Sequence, residues 1–463
     1  MYCIGVVVFC LIISVLGVTD NIRARLPTYT PENTDGMGEA LFLTPYIKSG
    51  DIETAQELSM VHHPKMDYFT SYSGFLTVDK KYNSNLFFWY MEAEKNSKDA
   101  PVLLWLSGGP GYSTFYGIFY ENGPFYLTSE LDFPPRNYSW HIDHHIIFID
   151  NPVGTGFSFT DNVDGYVTTS EDAAVSLYEA MQQFFMLFPH LRTNDFFLCG
   201  ESYGSHFVSS FGRLIHEKNI NSASEVFINL RGMSIGNGAF DLQTISVDTY
   251  YDIGIVDIET EMTLASEKKH VDSLAANGNY DDALLLLTNM MFAMDSELRN
   301  ATGLFDLTNY VYQQADIYDD VLNFLKDVDV RKAIHVGGQE FFGSVDNPAY
   351  IYLGYTSLLS ISTDISYLLA HYPMMLYNGQ LDLLTPWPAL EDFLYGLDFK
   401  GHDEYMTAER LIWKVDDDVA GYVKQAGFLT EVLVRNSGHS TPLQQPKWSL
   451  DLIKHLTFRK SFD

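Results

Sequence analysis

Cysteine is almost missing from this chain: 463 residues hold three. Cys3 and Cys10 fall in an apolar N-terminal run, so residues 18–463 contain Cys199 alone and can close no internal disulfide. Cys199 ends an apolar stretch and reads as a small buried hydrophobe. Positive charge is scarce as well. Lys and Arg number 28 against 60 Asp and Glu, for a formal net charge of -32. Such a surface repels nucleic acid and anionic membranes, so no nucleic-acid partner is expected. Long apolar runs are missing apart from residues 3–16, and that run is too short to span a bilayer. Small residues follow it, with Val15 and Gly17 where a signal peptidase would inspect the chain. Residues 1–17 are therefore expected to be a secretory signal peptide, although a basic n-region is missing. The mature protein would then be secreted or lysosomal (vacuolar), with no membrane contact. The histidine pairs His62–His63 and His144–His145 lack metal-ligand spacing, so no metal and no cofactor is expected.

What is there is apolar. Hydrophobic residues make up 46% and aromatic residues 15%, enough for a large core. "NLFFWYM" (85–91) and "PVLLWLS" (101–107) read as neighbouring strands, and "HIIFID" (145–150) as another. Ser170 and Glu171 open a helix that ends before Pro189. The strand "DFFLCG" (195–200), the helix "SHFVSSFGRLIHEK" and the strand "VFINLRGMSIGN" (226–237) continue the alternation. From 241 to 347 the pattern is mostly helical, as in "YDDALLLLTNMMFAMDSEL". Strands then resume with "MMLYNG" (374–379) and "FLTEVLVRNSG" (428–438). The expectation is an α/β fold: a mainly parallel central sheet with helices on both faces. Its core would take residues 18–240 and 348–463, and residues 241–347 would form an inserted helical cap. The first eighty residues read as a leader poor in strands.

"GESYG" (200–204) lies between the fourth such strand and a helix. Strand, sharp turn and helix are what a nucleophile elbow needs, with glycines leaving room for the strained serine, so Ser202 is the candidate nucleophile. The helix that follows aims its amide end at developing negative charge. An acid and a histidine should follow in that order. Asp382 comes after "MMLYNG", and His439 after the strand ending at Val434, both beyond the carboxyl end of a strand. Asp416, Asp417 and Asp418 fall in a hairpin and read as a solvated turn. "WLSGGPGYS" (105–113) supplies glycines for an oxyanion hole, with the amides of Gly109 and Tyr203 as its donors.

These residues resemble the serine carboxypeptidase family from about residue 40 onward. The motifs are "LLWLSGGPGYS", "YENGPF", "FIDNPVGTGFSF", "GESYG", "NGQLD" and "GHSTP"; "FLTPYIKSG", "YNSNLFFWY" and "VRKAIHVG" point to its vitellogenic carboxypeptidase-like branch. The resemblance implies an α/β-hydrolase fold with a helical cap. It implies an acyl-enzyme mechanism that removes one residue from the C-terminus of a peptide or protein. It places the triad on Ser202, Asp382 and His439, and recognition of the substrate's free carboxylate on Glu121 and Glu201, with Ser107 and Gly108 beside them. If the two glutamates meet, they would share a proton, and peptidase activity would peak in acid. Asn137 (Asn-Tyr-Ser) and Asn300 (Asn-Ala-Thr) are glycosylation candidates on a secretory chain.

The chain also departs from the family's pattern. Ser107 stands where an Asn or Gln is usual, and Tyr112 where a small residue or Cys is. Ser440 takes the place of a hydrophobic residue after the histidine, and Gln444 that of an acid. The cysteines of the family's cap are absent. An esterase or acyltransferase of the same fold, or a binding protein without catalysis, therefore stand as alternatives to a carboxypeptidase.

Overall fold

The computed structural model of the protein describes residues 28–221, 225–312, 318–343 and 347–462. The expected leader at 1–17 lies outside them. Among the described residues ten strands form one sheet in the order β1-β2-β4-β3-β5-β6-β7-β10-β9-β8. They are β1 Ser71–Asp79, β2 Ser84–Met91, β3 Val102–Leu106, β4 His145–Ile149, β5 Phe196–Glu201, β6 Leu230–Gly236, β7 Met374–Gly379, β8 Leu411–Val415, β9 Asp418–Ala426 and β10 Leu429–Val434. The six central strands, from β4 to β10, pair in parallel; the edges are antiparallel. The central strands are buried almost throughout, as strands covered on both faces must be. Leu104, Leu177, Phe184 and Phe207 pack on one face, while Leu103, Trp105, Trp140 and Ile453 pack on the other.

Two expectations need correction. The strands at 85–91 and 101–107 are not neighbours: β4 lies between them, antiparallel to β2 and parallel to β3. Strand order depends on which wholly apolar ribbons pack together, and local patterning does not encode it. The first eighty residues are not poor in strands, because β1 pairs along its length with β2. Its sequence, SYSGFLTVD, buries Ser71 and Ser73, and the Ser73 hydroxyl donates to the Ile334 carbonyl (2.8 Å). Small polar residues that are buried with partners dilute the apolar signal of a strand.

Helix α1 (Ser170–Leu187) starts where Thr169 accepts the Asp172 N–H, and carries Glu171 and Asp172 in its first turn. Helix α2 (Gly204–Asn221) follows β5 directly. Helices α3 (Ile258–Ala276) and α4 (Tyr280–Phe292) lie between β6 and β7. Their apolar residues Leu264, Val271 and Leu287 join Leu242, Tyr250 and Leu383 in a cluster separate from the sheet's core. Val321, Phe324, Ile334 and Phe341, later in the same stretch, pack instead with Trp89 and Phe115 against the sheet. Among the described residues no helix is long and apolar enough to cross a membrane.

Candidate active site

Five loops meet at the carboxyl ends of the parallel strands: those after β3, β5, β6, β7 and β10. Ser202 follows β5 in a left-handed backbone conformation, φ 58°. Such a residue costs on the order of 1–3 kcal/mol unless its surroundings hold it. Here its N–H donates to the Gly236 carbonyl (3.0 Å), and its own carbonyl accepts from Ser205 (3.1 Å) and Ala239 (3.2 Å). Gly204 crosses β3 so closely that a Cβ would lie 2.4 Å from the Leu106 carbonyl oxygen. On the other side, a Cβ on Gly108 would sit 2.7 Å from the Ser202 Cβ and 3.0 Å from the Tyr203 amide nitrogen. Glycine is therefore required at 108 for the loop carrying Gly109 to approach the elbow.

Asp382 and His439 meet directly. The Asp382 Oδ2 lies 2.8 Å from the His439 Nδ1. The same oxygen accepts from the Asn237 side-chain amide (2.8 Å) and the Thr385 hydroxyl (2.8 Å), and Oδ1 accepts from the Leu384 N–H (2.9 Å). Burial works against the charged imidazole, but the Asp382 carboxylate, helped by Glu121 and Asp306, outweighs it and holds the His439 pKa above the ordinary value. Asn237 and Thr385 were not apparent from sequence. Asn237 carried a weak signal, because it ends the strand pattern at 226–237 and so sits beyond a strand's carboxyl end; Thr385 carried none.

Glu121 and Glu201 also come together. Glu121 ends a single π-helical turn, Gly117–Glu121, and Glu201 is the last residue of β5. Both are buried, and their carboxyls hydrogen-bond to each other. Burial, then the charge of Glu121, pushes Glu201 well above the usual carboxylate range. Burial also raises Glu121, against the pull of its hydrogen bonds to Glu201 and Ser440. The Ser440 hydroxyl donates to Glu201 Oε1 (3.1 Å). That bond ties the residue before Ser202 to the residue after His439. Apart from the proton the two glutamates share, Glu121 Oε1, Glu201 Oε2 and the Ser107 hydroxyl are buried with no hydrogen-bond partner among the described residues. Arg136, whose charge weakly favours ionised Glu121, spends its guanidinium on the carbonyls of Gly123, Phe119 and Phe125.

The remaining candidates lie apart. Asp416 and Asp417 form the exposed β8–β9 turn, with φ of 49° and 70°. His144 bonds the Trp140 carbonyl and Thr457, His145 bonds Tyr90 and the Ser97 carbonyl, and burial lowers both pKa values to about 4. Cys199 is buried, and burial pushes its thiol pKa up. Asn137 and Asn300 are both exposed.

A family model described as serine carboxypeptidase matches residues 62–459. The chain is 41% identical to a vitellogenic carboxypeptidase of Aedes aegypti, over 93% of this chain and 92% of that protein. It is 40% identical to a venom serine carboxypeptidase of Apis mellifera, over 94% and 95% of the two. Among solved structures, a prohormone-processing carboxypeptidase from Saccharomyces cerevisiae superposes with a TM-score of 0.73 at 21% identity, over 87% of this chain and 96% of that one, a likeness of fold. The sheet, the elbow and the matched span agree, and the chain belongs to the serine carboxypeptidase family.

Proposed function

We propose that this serine carboxypeptidase releases the last residue of a peptide through Ser202, His439 and Asp382. His439 takes the Ser202 proton through Nε2 while Asp382 holds its Nδ1–H and stabilises the imidazolium. Ser202 Oγ attacks the last peptide carbonyl, and the amides of Gly109 and Tyr203 receive the oxyanion. His439 then gives its proton to the departing amino group, and water repeats the sequence on the acyl-enzyme. Glu121 and Glu201, sharing one proton, bind the substrate's free carboxylate together with Ser107 and the Gly108 loop. The observation that carries this reading is a buried carboxyl pair, one member adjoining the elbow serine, whose oxygens have few partners beyond the proton they share.

The two ionisations bracket the activity. The pair keeps its proton to higher pH than an ordinary carboxyl and loses it as pH rises, which ends carboxylate binding. His439, raised above its ordinary value, becomes protonated as pH falls, which removes the base. A secretory destination and glycans on Asn137 and Asn300 belong to the same proposal, supported by the apolar leader and the exposure of both asparagines. A fluorophosphonate probe tests the nucleophile. Ser202 should be labelled, and Ser202→Ala should lose both the label and the release of C-terminal residues measured by mass spectrometry. A folded protein that takes no label would remove the assignment.

A further inference from the structure

The helical stretch between β6 and β7 returns to the sheet through residues 307–310, and these touch both loops of the proposed Asp–His pair. The Leu383 N–H donates to the Leu307 carbonyl (3.0 Å), and the Tyr310 N–H to the Leu381 carbonyl (3.1 Å), so backbone bonds flank Asp382 on each side. The His439 N–H donates to the Thr308 carbonyl (2.7 Å). The Asn309 amide donates to Gln444 Oε1 (2.7 Å), and the same oxygen accepts the Gly438 N–H (2.5 Å). Contact is backbone against backbone: a Cβ on Gly438 would lie 2.1 Å from the Thr308 carbonyl oxygen, and one on Gly379 would lie 1.9 Å from the Gly438 oxygen. The segment is stiffened from within. Asp306 accepts the Thr308 N–H (2.9 Å) and hydroxyl (2.6 Å), and Asn309 Oδ1 accepts the N–H groups of Val311 and Tyr312 (both 2.9 Å).

We infer that residues 307–310 are a strap that sets the spacing of the Asp382 and His439 loops, with Asn309 and Gln444 as positioning residues. The inference rests on Asp382 and His439 being the acid and base proposed above. Such a strap makes the geometry of the base depend on how the helices before it dock, without any disulfide to fix them. Gln444 holds the strap with an uncharged acceptor. The charged groups that act on His439 are then Asp382, Glu121 and Asp306.

Two full-length variants test this. Gln444→Met keeps the side chain's size and removes the acceptor shared by Asn309 and Gly438. It should lower kcat roughly tenfold, with KM unchanged and with equal loss on free-acid and amidated peptides, since a mis-set base costs rate rather than binding. Gln444→Glu keeps the acceptor and adds a negative charge beside the His439 loop. It should restore kcat and move the acid limb of the pH profile upward by about half a unit, because the added charge favours the imidazolium. A wild-type rate for Gln444→Met overturns the strap, and so does an unmoved acid limb for Gln444→Glu, which remains decisive if the Met variant folds poorly. Full activity in His439→Ala would remove the triad assignment first and the strap with it.

Discussion

Asp382 and Glu201 are both buried carboxyls at the carboxyl ends of strands in one sheet, 2% and 7% exposed, yet their surroundings are opposite. Asp382 is saturated. His439, Asn237, Thr385 and the Leu384 amide all reach it. Glu201 has the Ser440 hydroxyl and the proton it shares with Glu121; beyond that proton, one oxygen of each glutamate and the Ser107 hydroxyl have no hydrogen-bond partner among the described residues. Burial alone does not separate the two centres, so the difference lies in hydrogen bonding. A buried polar atom without a partner costs about 1–3 kcal/mol, which a fold tolerates where a ligand supplies the missing bond. The saturated half is set before substrate arrives, as a base must be. In the proposed mechanism the unsaturated half is the one that receives the substrate's carboxylate.

The largest effect should come from breaking the saturated half. Asp382→Asn turns an acceptor into a donor opposite His439 Nδ1 and favours the wrong tautomer. It should lower kcat roughly 10⁴-fold on free-acid and amidated peptides alike. A loss confined to free acids would mean that Asp382 belongs to the pocket instead. Ser107→Asn sharpens the other half, because the longer amide reaches a carboxylate that a serine hydroxyl does not. Its kcat/KM ratio for free acid over amide should rise roughly tenfold, the worth of one charge-assisted hydrogen bond. An unchanged ratio would place Ser107 outside the carboxylate site.

Ser440 joins the two halves and should give a smaller shift. Its hydroxyl favours the ionised form of both glutamates, so Ser440→Ala should raise the pair's pKa. The alkaline limb for free-acid peptides should then move upward by about half a pH unit, while the limb for amides stays in place. A shift common to both substrates would point to the base rather than the pair. Last, a reducing agent should leave Tm unchanged, because Cys199 is buried and is the sole cysteine after residue 17. A marked drop would indicate a retained leader or chains linked through Cys199.

The elbow was legible because it is local: a strand, a serine between glycines and a helix lie within one short stretch. Asp382 and His439 were legible because each follows a strongly apolar strand. Their mutual contact, and the meeting of Glu121 with Glu201, bring together segments 57 and 80 residues apart in sequence and depend on strand order, which local sequence does not hold. The β2–β3 adjacency failed for the same reason. Thr385 was invisible because a threonine two residues before a tryptophan carries no pattern of its own. Ser440 and Gln444 stood out as departures from the family, but only the fold shows what their side chains hold: one the acidic pair, the other the loop of His439.

The proposed division of labour gives the chemistry to the saturated pair and the choice of the substrate's free end to the unsaturated pair. It is tested most directly by initial rates on one peptide in two forms, free acid and C-terminal amide, from about pH 4 to 8. Both forms should share an acid limb set by His439. The free-acid rate should then fall on the alkaline side as the glutamate pair loses its proton, while the amide rate persists. Identical profiles for the two forms would contradict the account, even with Ser202 fully reactive.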